Sequence, residues 1–309
     1  MEACLTMTGR WFAALQLFIG LLLAPLLPAV VNRTKAIFAG RKGPPLVQGY
    51  TDLAKLLSKA AVYSRTTTWI FRAGPTVGLA AVVIALAMLP WAGGSALVSF
   101  AGDMVLFATL FGLARFLTIL AALDTGSAFE GMGASREAWF SALTEPALLL
   151  ALAALARLSG SLSLSGILGG PGVGGGAGAA LLLAAGAALV VFLAENARIP
   201  VDDPETHLEL TMIHEVMVLD HCGVDLAYIQ YGSAVKLWAL GGVVVSMLAP
   251  RTGFWLADVG IGLGGMACVG IATGVLESVT ARLRLARVPQ LLVAAIAMSA
   301  LAMALALVR

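Results

Sequence analysis

The chain has 309 residues, 60% of them hydrophobic and only 12% charged, and its mean hydropathy is +0.96. Soluble domains carry about 25% charged residues, so this is the composition of a polytopic membrane protein. A net charge of +2 argues against a nucleic-acid partner. Cys4, Cys222 and Cys268 stand singly, without the spacing of a disulfide framework or of an iron–sulfur or zinc motif.

A helix crosses a bilayer with about 20 apolar residues. Apolar runs of that kind predict eight spans, near 11–31, 70–92, 97–123, 141–157, 178–197, 227–249, 254–276 and 288–308. Only helices satisfy their own backbone in lipid over such lengths, so the expected fold is an all-α membrane helix bundle. The first run is longer than the apolar core of a signal peptide and leads into a basic loop, not a cleavage site. Residues 1–309 read as a single integral membrane domain, with cytoplasmic loops at about 32–69, 124–140, 198–226 and 277–287. That orientation comes from Lys and Arg: thirteen fall in these loops, counting Arg72 at the border of the first, and four in the other loops and the termini. Basic residues stay inside, which puts both termini outside. The stretch SGSLSLSGILGGPGVGGGAG between spans 4 and 5 is uncharged and rich in Gly and Ser, a flexible composition. No internal repeat is visible, which disfavours a secondary transporter.

In the first cytoplasmic loop, Arg41 and Lys42 precede Gly43-Pro44-Pro45. A helix follows with Leu53, Leu56, Leu57 and Ala60 as an apolar stripe and Lys55 and Lys59 on another side. Such a helix lies in the membrane interface. It serves either as a positive anchor or as a docking surface for a soluble partner.

The third loop concentrates the titratable groups. Residues 194–223 hold Glu195, Asp202, Asp203, Glu205, Glu209, Glu215 and Asp220 together with all three histidines, His207, His214 and His221. Asp203 before Pro204 is a helix start, and a helix over Pro204–Asp220 is expected. On it Glu205, Glu209 and Asp220 would share one face and His207 and His214 the opposite one. Apolar residues surround that helix, so its acids should be partly desolvated and able to share protons. Dipole stabilisation of a helix start could account for Asp202, Asp203 and Glu205, though not for Glu209, Glu215 or Asp220. His207 and His214 are seven apart and no HExxH spacing exists, so no metal site is expected.

Other charges fall in or beside spans: Asp103, Arg115, Glu145, Glu195, Lys236, Asp258 and Glu277. A charge at mid-membrane costs roughly 2.5–3.5 kcal/mol on insertion scales and less at the border. Snorkelling could explain each. Glu145, Glu195 and Glu277 fall on one side by topology, which suggests a lateral acidic path. The last loop carries Arg282, Arg284 and Arg287, able to orient the chain or to pair with the acids of the third loop or a docked partner.

The segment AENARIPVDDPETHLEL, with RKGP, QGYTDLAKLL and RLRLARVPQLL elsewhere, closely resembles the membrane subunit that joins the two arms of respiratory complex I. Within that superfamily, ALDTGSAFEGMGASREAWFSALTEPALLL and THLELTMIHEVMVLDHCG resemble the hydrogenase branch, the membrane anchors of formate hydrogenlyase and hydrogenase-4 complexes. Against complex I, the position of His207 is usually acidic there and the run from Glu209 to Gly223 shorter. Against the hydrogenase branch, Glu130 stands where a small residue is usual. The resemblance implies a subunit with no catalytic residues and no redox centre of its own. Its expected partners are [NiFe]-hydrogenase large and small subunits, a ferredoxin-like iron–sulfur subunit and an antiporter-like membrane subunit, with iron–sulfur clusters and the nickel–iron centre in those partners. Glu195, Asp202, Glu205 and Glu209 would inherit a role in coupling redox chemistry to proton or sodium movement in a prokaryotic inner membrane, joined by Asp203, Glu215, Asp220, Glu145 and Glu130. Arg198 would orient the loop by pairing with a neighbouring acid, and His207, His214, Arg41, Lys42, Arg282 and Arg284 would orient loops or dock partners. The alternatives are a quinone-linked complex I subunit and a free-standing secondary transporter.

Overall fold

A computed structural model describes residues 2–169, 178–202 and 212–308, with the backbone alone for residues 2–10. It is all-α among the described residues, in keeping with the expected bundle. The helices are α1 (Glu2–Leu23), α2 (Leu26–Phe38), α3 (Gln48–Leu57), α4 (Trp69–Ala87), α5 (Asp103–Asp124), α6 (Ala128–Ser159), α7 (Leu164–Gly169), α8 (Gly178–Glu195), α9 (Gly223–Leu248), α10 (Trp255–Val279) and α11 (Val288–Leu307). Seven helical segments are long and apolar enough to cross a membrane, or eight with α1 and α2 taken as one broken span. The protein is a multi-pass membrane protein.

α9 is the most enclosed span, and α4, α8, α10 and the α1–α2 pair lie against it. Lipid gives helices no hydrophobic reason to associate, so close packing has to come from small residues. Ala147, Ala151 and Ala154 of α6, Ala184 and Ala187 of α8, and Ala295 and Ala302 of α11 are all buried. Across that seam the Ser299 hydroxyl donates to the Ala147 carbonyl at 2.9 Å. Trp91 meets Trp238 of α9 edge to face, with ring centres 5.7 Å apart.

Several boundaries differ from expectation for identifiable reasons. The first span bends by 43° between α1 and α2, where Pro25 lacks a backbone donor, and it continues past residue 31 to Phe38. Arg33 and Lys35 therefore belong to a helix. α5 begins at Asp103, after Gly102 at φ 91, so Asp103 is a helix-start carboxylate rather than a mid-span charge. It accepts the Leu164 N–H at 2.6 Å and the Ser163 hydroxyl at 2.9 Å. Asp258 likewise sits in the first turn of α10 and accepts from both the N–H and the hydroxyl of Thr252 at 2.8 Å. α3 forms as expected; Leu53 and Leu56 are half-buried, but Leu57 is exposed and Ala60 lies past its end.

Two corrections bear on function. The expected 124–140 loop is mostly helix: α6 runs unbroken from Ala128 through Pro146 to Ser159. Glu145 is thus well inside a long helix. The expected helix over 204–220 is not α-helical in its described half, which holds one 3₁₀ turn, Glu215–Val218; residues 203–211 lie outside the described residues. Side chains take the backbone groups that an α-helix would pair. The Asp202 carboxylate accepts the N–H of Ile213 and of His214, each at 3.2 Å. Arg136 donates to the Met212 carbonyl at 2.9 Å, and Glu130 accepts the Asp220 N–H at 3.2 Å. Asp220 and His214 are therefore not on one α-helix; the partners drawn for their shared faces, Glu205, Glu209 and His207, lie outside the described residues.

Candidate functional site

The charged core is built around Arg115, in the middle of α5. Its Nη2 lies 2.5 Å from Glu195 Oε1 at the end of α8. Its Nε and Nη1 each lie 3.4 Å from a carboxylate of α6, Glu137 Oε1 and Glu145 Oε1 respectively. Lys236 of α9 approaches Glu195 Oε2 at 3.8 Å. Arg115, Glu137 and Glu195 are buried, whereas the Glu145 side chain is 46% exposed on the flank of the bundle. A guanidinium with several donors in a fixed plane can hold three carboxylates at once.

From this core the contacts run outward. Glu137 Oε2 is 3.5 Å from His214 Nε2, and His214 Nδ1 is 3.8 Å from Asp202 Oδ2. Asp202 Oδ1 is 2.7 Å from Arg282 Nη2. A second group joins Glu277 of α10 to Lys35 of α2 at 3.1 Å and to Arg198 at 3.5 Å. Arg198 also ties its own loop, its carbonyl accepting the Val201 N–H at 2.9 Å.

A cavity of about 480 Å³ opens beside the core. Arg115, Glu137, Glu195, Lys236, Asp202 and His214 form its polar side, and α4 supplies an apolar side of Pro75, Gly78, Leu79 and Val82. Glu215, Arg198 and His221 reach it from the loop. Burial works to raise the Asp202 pKa, but the His214 imidazole and the Arg282 guanidinium outweigh it and hold it below the ordinary 3.8. Burial works to lower the His214 pKa, but the Glu137 and Asp202 carboxylates overcome this and the Lys236 charge, holding it above the ordinary 6.5. His221 differs: burial pushes its pKa below 6.5 against the pull of Asp225 and Asp220. Its ring stacks on Phe71 at 3.9 Å.

The expected acidic-loop residues therefore divide. Glu195, Glu145 and Asp202 join one ion-paired chain, and Glu215 lies on the cavity wall. Glu130 is buried under the loop, where the Thr125 hydroxyl and the Asp220 N–H donate to it. Asp220 is exposed. Asp203, Glu205, His207 and Glu209 lie outside the described residues. Arg198 and Arg282 each pair with an acid, while Arg41, Lys42 and Arg284 are exposed. Glu277 does not join Glu145 and Glu195 but has its own cations. Among the described residues no group of His, Cys, Asp and Glu is arranged to hold a metal.

Sequence alone gives Glu137 no role and leaves Arg115 and Lys236 as charges within spans that snorkelling could explain. A signal for Glu137 was present. Glu130, Glu137 and Thr144 recur every seven residues, with Gly133, Phe140 and Ala147 each three residues further on. That is the buried stripe of one continuous helix, and all six are buried.

Fold and core together define a multi-pass membrane helix bundle with an ion-paired interior beside a cavity. The chain belongs to the NADH dehydrogenase family, whose sequence model matches residues 12–308. It is 32% identical to hydrogenase-4 component C of Escherichia coli over 246 residues, covering 77% of this chain and 75% of that protein. It is 35% identical to formate hydrogenlyase subunit 4 of the same organism over 156 residues, 50% of this chain and 51% of that one. Its fold matches a chain in the structure of the membrane-bound sulfane sulfur reductase, an archaeal respiratory membrane complex. The TM-score is 0.82 at 20% identity, over 97% of this chain and 99% of that one.

Proposed function

We propose that the chain is the membrane anchor and ion-coupling subunit of a group 4 [NiFe]-hydrogenase complex of the formate hydrogenlyase type. It docks the soluble redox arm on its cytoplasmic loops and links electron transfer to proton or sodium movement. The observation that carries this reading is the row of neighbouring titratable and charged groups from the flank at Glu145, through Arg115, Glu137 and His214, to Asp202 and Arg282 in the loops. Buried ionisable groups in a membrane bundle mark ion pathways by default, and the two curated relatives are named as hydrogenase and formate hydrogenlyase components. The partners are hydrogenase large and small subunits, a ferredoxin-like iron–sulfur subunit and an antiporter-like membrane subunit, which carry the metal centres; this chain carries none. Both termini face outside the inner membrane.

Affinity purification from gently solubilised membranes, read by mass spectrometry, tests the assembly. Hydrogenase subunits should co-purify; solute transport by the isolated chain without partners would sink the proposal. Reporter fusions to each terminus test the orientation, and a cytoplasmic signal from either would overturn it. The apolar wall of the cavity favours a second reading, a quinone-linked subunit of a complex I-type dehydrogenase. NADH-oxidising modules in the same purification would support that reading instead.

A further inference from the structure

In the membrane core Arg115 and Lys236 match the two enclosed carboxylates Glu137 and Glu195, and the third carboxylate, Glu145, is half-exposed on the flank. Outside this balanced set, Glu137 and Asp202 also face each other across one ring, and a proton held between two buried carboxylates favours the charged form of both. His214 is placed to hold that proton. Its ring sits between carboxylates from two different elements, with Nε2 toward Glu137 of α6 and Nδ1 toward Asp202 of the loop. We infer that His214 carries a proton, and that its imidazolium, held between Glu137 and Asp202, is the proton-bearing link between α6 in the membrane core and the loop at Asp202.

Other charges act on the ring from each neighbouring element. Lys236 of α9 opposes protonation. Arg282 is drawn to Asp202, and Arg115 to the far oxygen of Glu137. Glu215 is next in the chain, and Arg136 holds the preceding Met212 carbonyl. Glu137 and Asp202 prevail, which keeps the His214 pKa above 6.5. A second cavity of about 10 Å³ lies among Arg115, Glu137, Glu195 and His214, about the space of a single water. When the proton moves inward, the Nε2–H bond breaks and its electron pair stays on Nε2. An O–H bond forms at Glu137 Oε2, and the net charge of the group is unchanged. That constancy keeps the desolvation cost of the step low.

The inference rests on the ion-coupling reading for its direction of use, but the charge state of His214 can be measured separately. The full chain, ¹⁵N-labelled at its three histidines and reconstituted in lipid bilayers, is titrated by solid-state NMR from pH 5.5 to 9. Ile213–His214 is the one Ile–His pair in the sequence, so ¹³C-isoleucine labelling assigns His214 without a substitution. We expect His214 to be imidazolium at pH 7.5 while His221 is neutral. Glu137→Gln should lower the His214 midpoint by about one to three pH units, the scale of one adjacent charge, and leave His221 unmoved. A neutral His214 in the wild-type chain at pH 6.5 would overturn the inference even if the variant fails to fold. Proton pumping by the assembled complex in inverted vesicles is the separate readout. If wild-type complex evolves hydrogen without pumping, the coupling role falls, and the NMR titration still decides the charge of His214.

Discussion

Arg115 shows how far one residue can govern a buried site. Removing one partner of a buried ion pair leaves the others uncompensated, at about 3–5 kcal/mol. Arg115→Met should therefore lower the unfolding temperature of the purified chain or abolish its accumulation. Adding Glu195→Gln should recover part of that loss, because the two changes are coupled. If the double variant is as unstable as the sum of the singles, the pairing is not what holds the core. The sign of the pH dependence follows from the same contacts. His214 has a raised folded pKa, so its stabilising contribution is complete below the ordinary 6.5 and is lost as pH rises through the folded value. Asp202 has a lowered folded pKa, so its contribution is present above 3.8 and lost as pH falls through the folded value. Of these two groups, only His214 loses its contribution as pH rises from neutral. Amide exchange in residues 212–220, corrected for intrinsic rate, should therefore become faster toward pH 9. A flat profile would contradict this.

At the scale of elements, the joint between α6 and the loop decides the site. A Cβ on Gly133 would lie 2.3 Å from Val216 Cγ1 and 3.0 Å from the Ile213 carbonyl oxygen. The close approach lets Glu137, one turn further along α6, reach His214. Gly133→Val should push the loop away at about 1–3 kcal/mol, the usual cost of overpacking. Its specific signature is faster proteolysis near residues 212–220 with α6 itself intact. Residues 212–220, the described half of the expected helix, show where a sequence pattern loses to its surroundings. Asp203-Pro204 is a sound helix start, yet Asp202, Arg136 and Glu130 take the backbone groups of Met212, Ile213, His214 and Asp220. Arg136 and Glu130 are 70 or more residues away in sequence, so no local pattern could announce this.

For the whole molecule, Arg198 and Glu277 connect the third loop to α10, and through Lys35 to α2. Arg198→Ala should loosen the face on which the redox arm is proposed to dock. The complex should then co-purify with partner subunits at reduced stoichiometry, while the membrane-inserted chain persists. Normal stoichiometry would count against that role. The half-exposed Glu145 fits the same scale: a carboxylate on a membrane flank is costly unless a neighbour covers it.

The sequence by itself determined the membrane class, the helical fold and nearly every span, because apolar length and basic loops are local quantities that lipid reads directly. It also pointed to the 194–223 segment and to the family, through motifs that survive as contiguous strings. What it could not supply was the pairing. Glu137 falls in an expected loop and is buried only because α6 is continuous, and Arg115 and Lys236 are isolated charges within spans until α5, α8 and α9 pack together. Which carboxylate faces which cation depends on helices distant in sequence meeting at one point, and only the tertiary structure decides that.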